Sequence, residues 1–231
     1  MSLYAIGDLH LSLGTDKPMD VFGGEWTDYV EKIRAGFRHI KDDDTVVLCG
    51  DISWGKNLGE AADDFRFISL LPGRKILVKG NHDYWWGTVS KMKEFFSLNG
   101  FGNIEILHNN CVKYDDAALC GTRGWFFEEE FREDHDEKVY KRELLRLENS
   151  LKAGRESGFG RILVFLHYPP VYGDYVCRDI MNLLEEYRAE VCCFGHLHGH
   201  SQRKAITGNI RGVEYKLVSA DYINFTPVKI I

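Results

Sequence analysis

The segment Lys75-Ile76-Leu77-Val78-Lys79-Gly80-Asn81-His82-Asp83 runs a short apolar stretch into a glycine, a side-chain amide, an imidazole and a carboxylate. Residues 75–78 have the length and composition of a strand, and Val89, Met92, Phe95 and Phe96 then mark a helix closed by Asn99-Gly100. A buried strand, a polar exit and a helix, in that order, form one unit of an α/β sheet. The same unit occurs twice upstream. Leu3-Tyr4-Ala5-Ile6 leads into Gly7-Asp8-Leu9-His10 and a long Gly-rich loop to about Trp26, after which Val30, Ile33, Phe37 and Ile40 recur at helical spacing. Thr45-Val46-Val47-Leu48 leads into Gly50-Asp51, and Leu58, Ala61, Ala62, Phe65 and Ile68 form the next helical stripe. Strands alternating with helices predict parallel pairing with right-handed crossovers.

Beyond residue 100 the pattern changes. Residues 104–107 and 111–119 read as strands, and 121–137 as irregular, aromatic and then acidic. Tyr140, Leu144, Leu147 and Leu151 predict one face of a long helix. Residues 162–166 form a buried strand ending at His167; Ile180, Leu183, Leu184 and Tyr187 give a helix; residues 191–194 form a strand ending at Gly195-His196-Leu197-His198. The stretch 201–228 reads as antiparallel strands turning near Thr207-Gly208-Asn209. With no repeat and no linker-like stretch, the expectation is a single domain over 1–231, with 121–137 as a cap or lid insertion. Two sheets packed face to face, with helices outside both, accommodate this order of elements.

Composition narrows the function classes. A formal charge of −6 over 231 residues argues against a general polyanion binder, so no extended nucleic acid is expected as a partner. The six cysteines form no Cys-x-x-Cys pair, and Cys49, Cys192 and Cys193 sit in apolar runs, as buried reduced thiols do. A strand begins almost at Met1, without a basic or apolar leader, and the apolar run at 162–166 is far too short to cross a bilayer. The expectation is a soluble, cytoplasmic protein with no membrane partner.

The five polar exits share one chemistry. Asp8 and His10, Asp51, Asn81 and His82, His167, and His196 and His198 each follow a predicted strand, where ligands of open α/β sheets bind. Glycine precedes four of these clusters, permitting a tight exit with little bulk. Two carboxylates, one amide and four imidazoles suffice for two divalent cations, with His82 left over for proton transfer.

Asp-x-His, Gly-Asp, Gly-Asn-His-Asp, His and Gly-His-x-His in this order resemble the calcineurin-like metallophosphoesterases, and in particular their small bacterial phosphohydrolase branch. The resemblance implies a four-layer αββα sandwich. It places Asp8, His10 and His198 on one metal, Asn81, His167 and His196 on the other, and Asp51 between them. Thiolate-free N/O ligation favours Mn²⁺, with Fe and Zn²⁺ as alternatives. The implied activity is hydrolysis of a phosphomonoester or phosphodiester by a metal-activated bridging hydroxide, with His82 as general acid and Asp83 orienting His82 or its loop. Gly50-Asp51-Ile52-Ser53-Trp54 lacks the Asp-Arg-Gly of Ser/Thr protein phosphatases, and Asp83 replaces their Glu, so that subfamily is not expected. A non-catalytic scaffold on the same fold is the rival; such proteins tend to lose a ligand or the acid histidine, and this chain keeps them all.

The partner expected is a small-molecule phosphoester, nucleotide-like if an aromatic wall lines the site. Trp54, Tyr84, Trp85, Trp86, Trp125 and Phe126 either pack the loops or supply that wall. Trp54 and Tyr84 are the candidates for substrate contact, and Arg123 is either a phosphate clamp or a surface ion pair. The acidic run 128–137 reads as a solvated loop or a movable lid. His39, His108 and His135 read as ordinary helix and loop residues, and His200 as a supporting one.

Overall fold

The computed structural model describes residues 1–125 and 133–231, with the side chains of 133–136 excepted. In chain order the elements are β1 (Leu3–Ile6), α1 (Tyr29–Gly36), β2 (Thr45–Cys49), α2 (Ala62–Leu70), β3 (Arg74–Val78), α3 (Val89–Leu98), β4 (Ile104–Ile106), β5 (Cys111–Tyr114), β6 (Ala117–Thr122) and α4 (Glu133–Glu156). They continue with β7 (Arg161–Leu166), β8 (Val171–Tyr172), β9 (Tyr175–Val176), α5 (Arg178–Glu186), β10 (Val191–Phe194), β11 (Gly208–Ile210), β12 (Val213–Leu217) and β13 (Val228–Lys229). The chain divides into two compact units, one of Met1–Ile106 with Val218–Ile231 and one of Leu107–Leu217. Each is built on one large mixed sheet flanked by helices, the α/β class that the element order predicts.

The first unit carries the sheet β13-β1-β2-β3-β4, with β1 to β4 parallel and β13 antiparallel at the edge. All five residues of β2 are buried, so it reads as a continuous apolar run rather than an alternating one. Ile6, Val46, Leu48 and Leu77 on one sheet face join Ile33 and Phe37, Phe65 and Ile68, and Met92 and Phe96 in one core. The three predicted helical stripes are therefore the inward faces of α1, α2 and α3. Thr88 caps α3 by accepting the Lys91 N–H, and Asn99 with left-handed Gly100 ends it. Lys75 of β3 is fully buried; its ammonium donates to the Leu71 and Gly73 carbonyls just beyond α2, and burial pulls its pKa down to about 8.

The second unit carries the sheet β11-β12-β10-β7-β6-β5, parallel from β12 to β6 and antiparallel at both edges. Ala118 and Cys120, Ile162, Val164 and Leu166, and Cys192 and Phe194 alternate onto one face. Leu147 and Leu151 of α4 and Ile180, Met181 and Leu184 of α5 cover that face. β8 and β9 form a separate small hairpin.

Three expectations need correction. Residues 111–119 are not one strand, because Asp115 takes a left-handed φ of 49° and turns the chain back as the hairpin β5–β6. The tail turns at Arg211 and Gly212, both at positive φ, with Gly208 starting β11 rather than making the turn. The stretch 121–137 is not irregular throughout: Gly121 and Thr122 complete β6, and α4 begins at Glu133. Residues 126–132 of the expected lid, with Phe126 and the acidic 128–130, lie outside the described residues, as does the side chain of His135. Among the described residues, no helix is long and apolar enough to cross a membrane.

Candidate metal centre

In the first unit the pairing of β1 with β2 continues past the strands. Asp8 donates its N–H to Gly50, His10 to Asp51 and Leu11 to Ile52, and Trp54 returns an N–H to Leu11, all at 2.8–3.0 Å. This loop ladder carries Asp8 and His10 alongside Asp51. It also holds Asp8, His10 and Asp51 at φ of 60°, 46° and 50°, a left-handed conformation that costs non-glycine residues of order 1–3 kcal/mol each. A ligand atom of Asp8 lies within 4.8 Å of one from His10 and of one from Asp51, and His10 Nε2 is 3.7 Å from Asp51 Oδ2. Both carboxylates are buried. Two buried carboxylates at this separation repel each other, and a cation offsets that cost.

The loop after β3 completes this group. Asp51 Oδ1 accepts the His82 N–H at 2.8 Å, and His82 Nε2 lies 4.0 Å from Asp51 Oδ2. The approach is close enough that a Cβ on Gly80 would sit 2.1 Å from both Asp51 N and Asp51 Oδ1, so only glycine fits there. Asn81 lies half-buried between Gly80 and His82. Asp83 is buried, with Oδ2 accepting the Gly80 N–H and Oδ1 accepting Ile52 N–H, Ser53 N–H and Trp85 Nε1–H. Its carboxylate therefore ties the β3 loop to the β2 loop through backbone donors. Burial, then the nearby Asp51 charge, pushes it up to about 6 against the pull of those N–H groups.

Aromatic rings surround these residues unequally. Trp54 stacks on His10 at 5.0 Å and 23° and lies 4.6 Å from His82 at 46°, with Lys17 Nζ 5.1 Å over its ring. Tyr84 is exposed, edge-on to His82 at 6.1 Å. Trp85 belongs to the core against Phe65, and Trp86 packs beside it.

In the second unit, His167 follows β7 and is fully buried. The N–H groups of His167 and Tyr168 both donate to the Arg123 carbonyl, and Gly195 donates to the His167 carbonyl. These bonds bring the end of β7 to the end of β10, where His196 is also left-handed at φ 73°. The His167 and His196 rings lie 5.1 Å apart, and Tyr168 packs 4.4 Å from His196. His198 opens a 3-10 turn over Gly199–Lys204, its N–H donating to Ser201 Oγ, and exposed His200 lies on that turn. Arg123 Nη2 pairs at 3.4 Å with Glu143, whose buried carboxylate also takes Arg146 at 2.6 Å and Thr122 Oγ1 at 2.7 Å. The guanidinium lies 5.0 Å over Trp125. Its ion pair is thus made to a buried carboxylate.

Two residues of the first site escape the motif reading. Asp64 is fully buried; Oδ2 accepts the Ser53 hydroxyl at 2.5 Å and Oδ1 the Leu13 N–H at 2.7 Å, while Ser53 Oγ accepts the Gly55 N–H. They pin the two loops that carry His10 and Asp51. The available signal was a carboxylate at position 64 on the inward stripe of α2, between Ala61 and Ile68.

The oxygen and nitrogen donors of Asp8, His10 and Asp51 form a ligand set for a divalent cation. No curated protein matches this sequence. Among solved structures, the chain is similar to the protein of unknown function AQ665 from Aquifex aeolicus, at 18% identity and TM-score 0.50 over 99% of this chain and 95% of that one. It is also similar to the phosphopantetheinyl hydrolase from Mycobacterium tuberculosis, at 12% identity and TM-score 0.57 over 100% and 95%. At these identities the likeness is one of fold. The sequence model of the calcineurin-like phosphoesterases matches residues 1–200, and the chain belongs to that family.

Proposed function

We propose that the chain is a dinuclear metal-dependent phosphoesterase acting on a small-molecule phosphomonoester or phosphodiester in the cytoplasm. The observation that carries this reading is the convergence of buried Asp8, His10 and Asp51, whose donor atoms approach one another within 4.8 Å, on a strained loop ladder. Of the seven residues assigned as ligands, Asp8, His10, Asp51 and His196 hold a left-handed backbone. Strain of that kind persists where function retains it.

Asp8, His10 and His198 would hold one cation, Asn81, His167 and His196 the second, and Asp51 both. The donor chemistry favours Mn²⁺, with Fe and Zn²⁺ as alternatives. When bound, such a pair supplies Lewis acidity toward phosphate oxygens and acidifies water. His82 Nε2, the ring nitrogen beside Asp51 Oδ2, donates a proton to the leaving oxygen. Asp83 keeps the His82 loop against the Asp51 loop. Exposed Tyr84 and the Arg123 guanidinium are the substrate contacts; a nucleotide-like leaving group suits Tyr84.

The test is hydrolysis of p-nitrophenyl phosphate and bis-p-nitrophenyl phosphate by protein loaded with Mn²⁺, Fe²⁺ or Zn²⁺, alongside elemental analysis. Two metal ions per chain and turnover of at least one ester are expected. Protein that holds two metals and hydrolyses neither would instead be a scaffold.

A further inference from the structure

A general acid works only when its ring is held in one orientation. The His82 side chain is about one-third exposed, at 35%, on a loop between β3 and α3, with Nε2 4.0 Å from Asp51 Oδ2. The ring nearest to it is Trp54, 4.6 Å away and tilted by 46°. The same indole stacks on His10 at 5.0 Å, and the His10 and His82 rings are themselves 5.8 Å apart.

The backbone of Trp54 is secured on both sides. Its own N–H donates to the Leu11 carbonyl at 2.9 Å. Before it, Ser53 donates from its hydroxyl to buried Asp64 and from its N–H to Asp83; after it, Gly55 donates to Ser53 Oγ. The ring is therefore set by rigid neighbours rather than by a free loop. Its Nε1–H is buried and has no hydrogen-bond partner among the described residues, which costs about 1–3 kcal/mol. Stability alone does not favour that placement.

We propose that Trp54 is a positioning residue for His82, holding the imidazole so that Nε2 meets the leaving oxygen, rather than a wall for the substrate. This rests on the general-acid reading above. It also explains why one indole is shared: His10 is held by its loop, and through the indole His82 is referenced to the same frame.

The test reads the dependence of rate on leaving group, which a merely structural role would not move. A p-nitrophenolate departs without a proton, and an alkoxide does not. Nitrophenyl, phenyl and alkyl esters of whichever phosphate class turns over are compared in metal-loaded wild type, His82→Ala, Trp54→Leu, Trp54→Phe and the double variant Trp54→Leu/His82→Ala. His82→Ala should lose about 10²–10⁴-fold on the alkyl ester and little on the nitrophenyl ester. Trp54→Leu should follow the same slope with a loss of about 10–100-fold in kcat, KM and metal content staying put. Trp54→Phe, which keeps a ring, should restore most of it. The double variant should be no slower on the alkyl ester than His82→Ala alone.

Equal loss on all three esters, a rise confined to KM, or additive losses in the double variant would overturn the assignment. Loss of metal from Trp54→Leu would also overturn it, since the residue would then serve His10. If His82→Ala itself shows no leaving-group dependence, the general-acid reading fails and the role of Trp54 falls with it. That result is distinguishable from failure of Trp54 alone.

Discussion

The Asp51 carboxylate accepts the backbone N–H of His82 at 2.8 Å through one oxygen and turns the other toward the His82 and His10 imidazoles, at 4.0 and 3.7 Å. One buried group thus closes the β3 loop and faces the donor cluster. Its two duties separate in Asp51→Asn. The amide oxygen can still accept the His82 N–H, so the loop should keep its shape, but the charge that offsets a cation is gone. Metal content should fall from two ions toward none, and activity should drop by more than the roughly 10–100-fold typical of residues that only support ligands. Elemental analysis with a circular dichroism melt checks both halves; a variant with full metal content would place Asp51 outside the ligand set.

Gly80→Ala tests the packing against the same carboxylate. Its Cβ would arrive 2.1 Å from Asp51 N and Oδ1, so backbone or carboxylate must shift. Overpacking of this kind costs about 1–3 kcal/mol. For a chain of this length each kcal/mol lowers Tm by about 2–4 °C. Calorimetry should show that drop together with lost activity; an unchanged Tm would mean the loop accommodates a methyl group and that glycine is dispensable there.

Glu143 offers a test in the second unit. It is buried beneath Thr122, Arg123 and Arg146, each of which donates to it. Glu143→Ala removes charge-assisted bonds worth about 1.5–3 kcal/mol each, with part recovered because both arginines reach water. A destabilisation of about 2 kcal/mol in urea unfolding is expected, and Glu143→Gln should restore part of it. Loss below half of that would mean the arginines find other partners.

How much of this was readable depended on whether a feature is local. The strands β2, β3, β7 and β10 are buried along all or nearly all of their length, so they appear as apolar runs, and their polar exits stand out because donors follow, after a glycine in every case but β7. The hairpin β5–β6 was hidden because Asp115-Asp116 is a weak turn signal beside Asn-Gly, and either side of it has strand composition. The start of α4 was hidden because 133–138 is polar throughout, leaving no stripe before Val139 and Tyr140; acidic residues there instead suit a helix N-terminus. The turn at Arg211-Gly212 puts an arginine at positive φ, which no turn preference predicts. The contacts of Trp54 with His10 and His82 were out of reach for a different reason: three loops meet there, and spacing along the chain does not encode which ring faces which.

Asp64 supplies the pH test. Burial is the main cause that pushes its carboxyl from the ordinary 3.8 to about 6, against the Ser53 and Leu13 hydrogen bonds that favour the ionised form. Between those two pH values the folded state keeps a proton that the unfolded chain has released. The contribution to stability is therefore fully present below about pH 4 and is lost as pH rises through 6, by up to about 3 kcal/mol. Asp64→Asn preserves an acceptor for the Leu13 N–H and a partner for the Ser53 hydroxyl but cannot ionise. Asp83 and the remaining carboxylates titrate in both proteins, so the difference between wild type and variant isolates Asp64. Urea unfolding from pH 4 to 7 should show wild-type stability falling relative to Asp64→Asn across that window and running parallel above it. A difference that stays flat would mean that Asp64 is already ionised in the fold near pH 4, held so by Ser53 and Leu13 despite its burial.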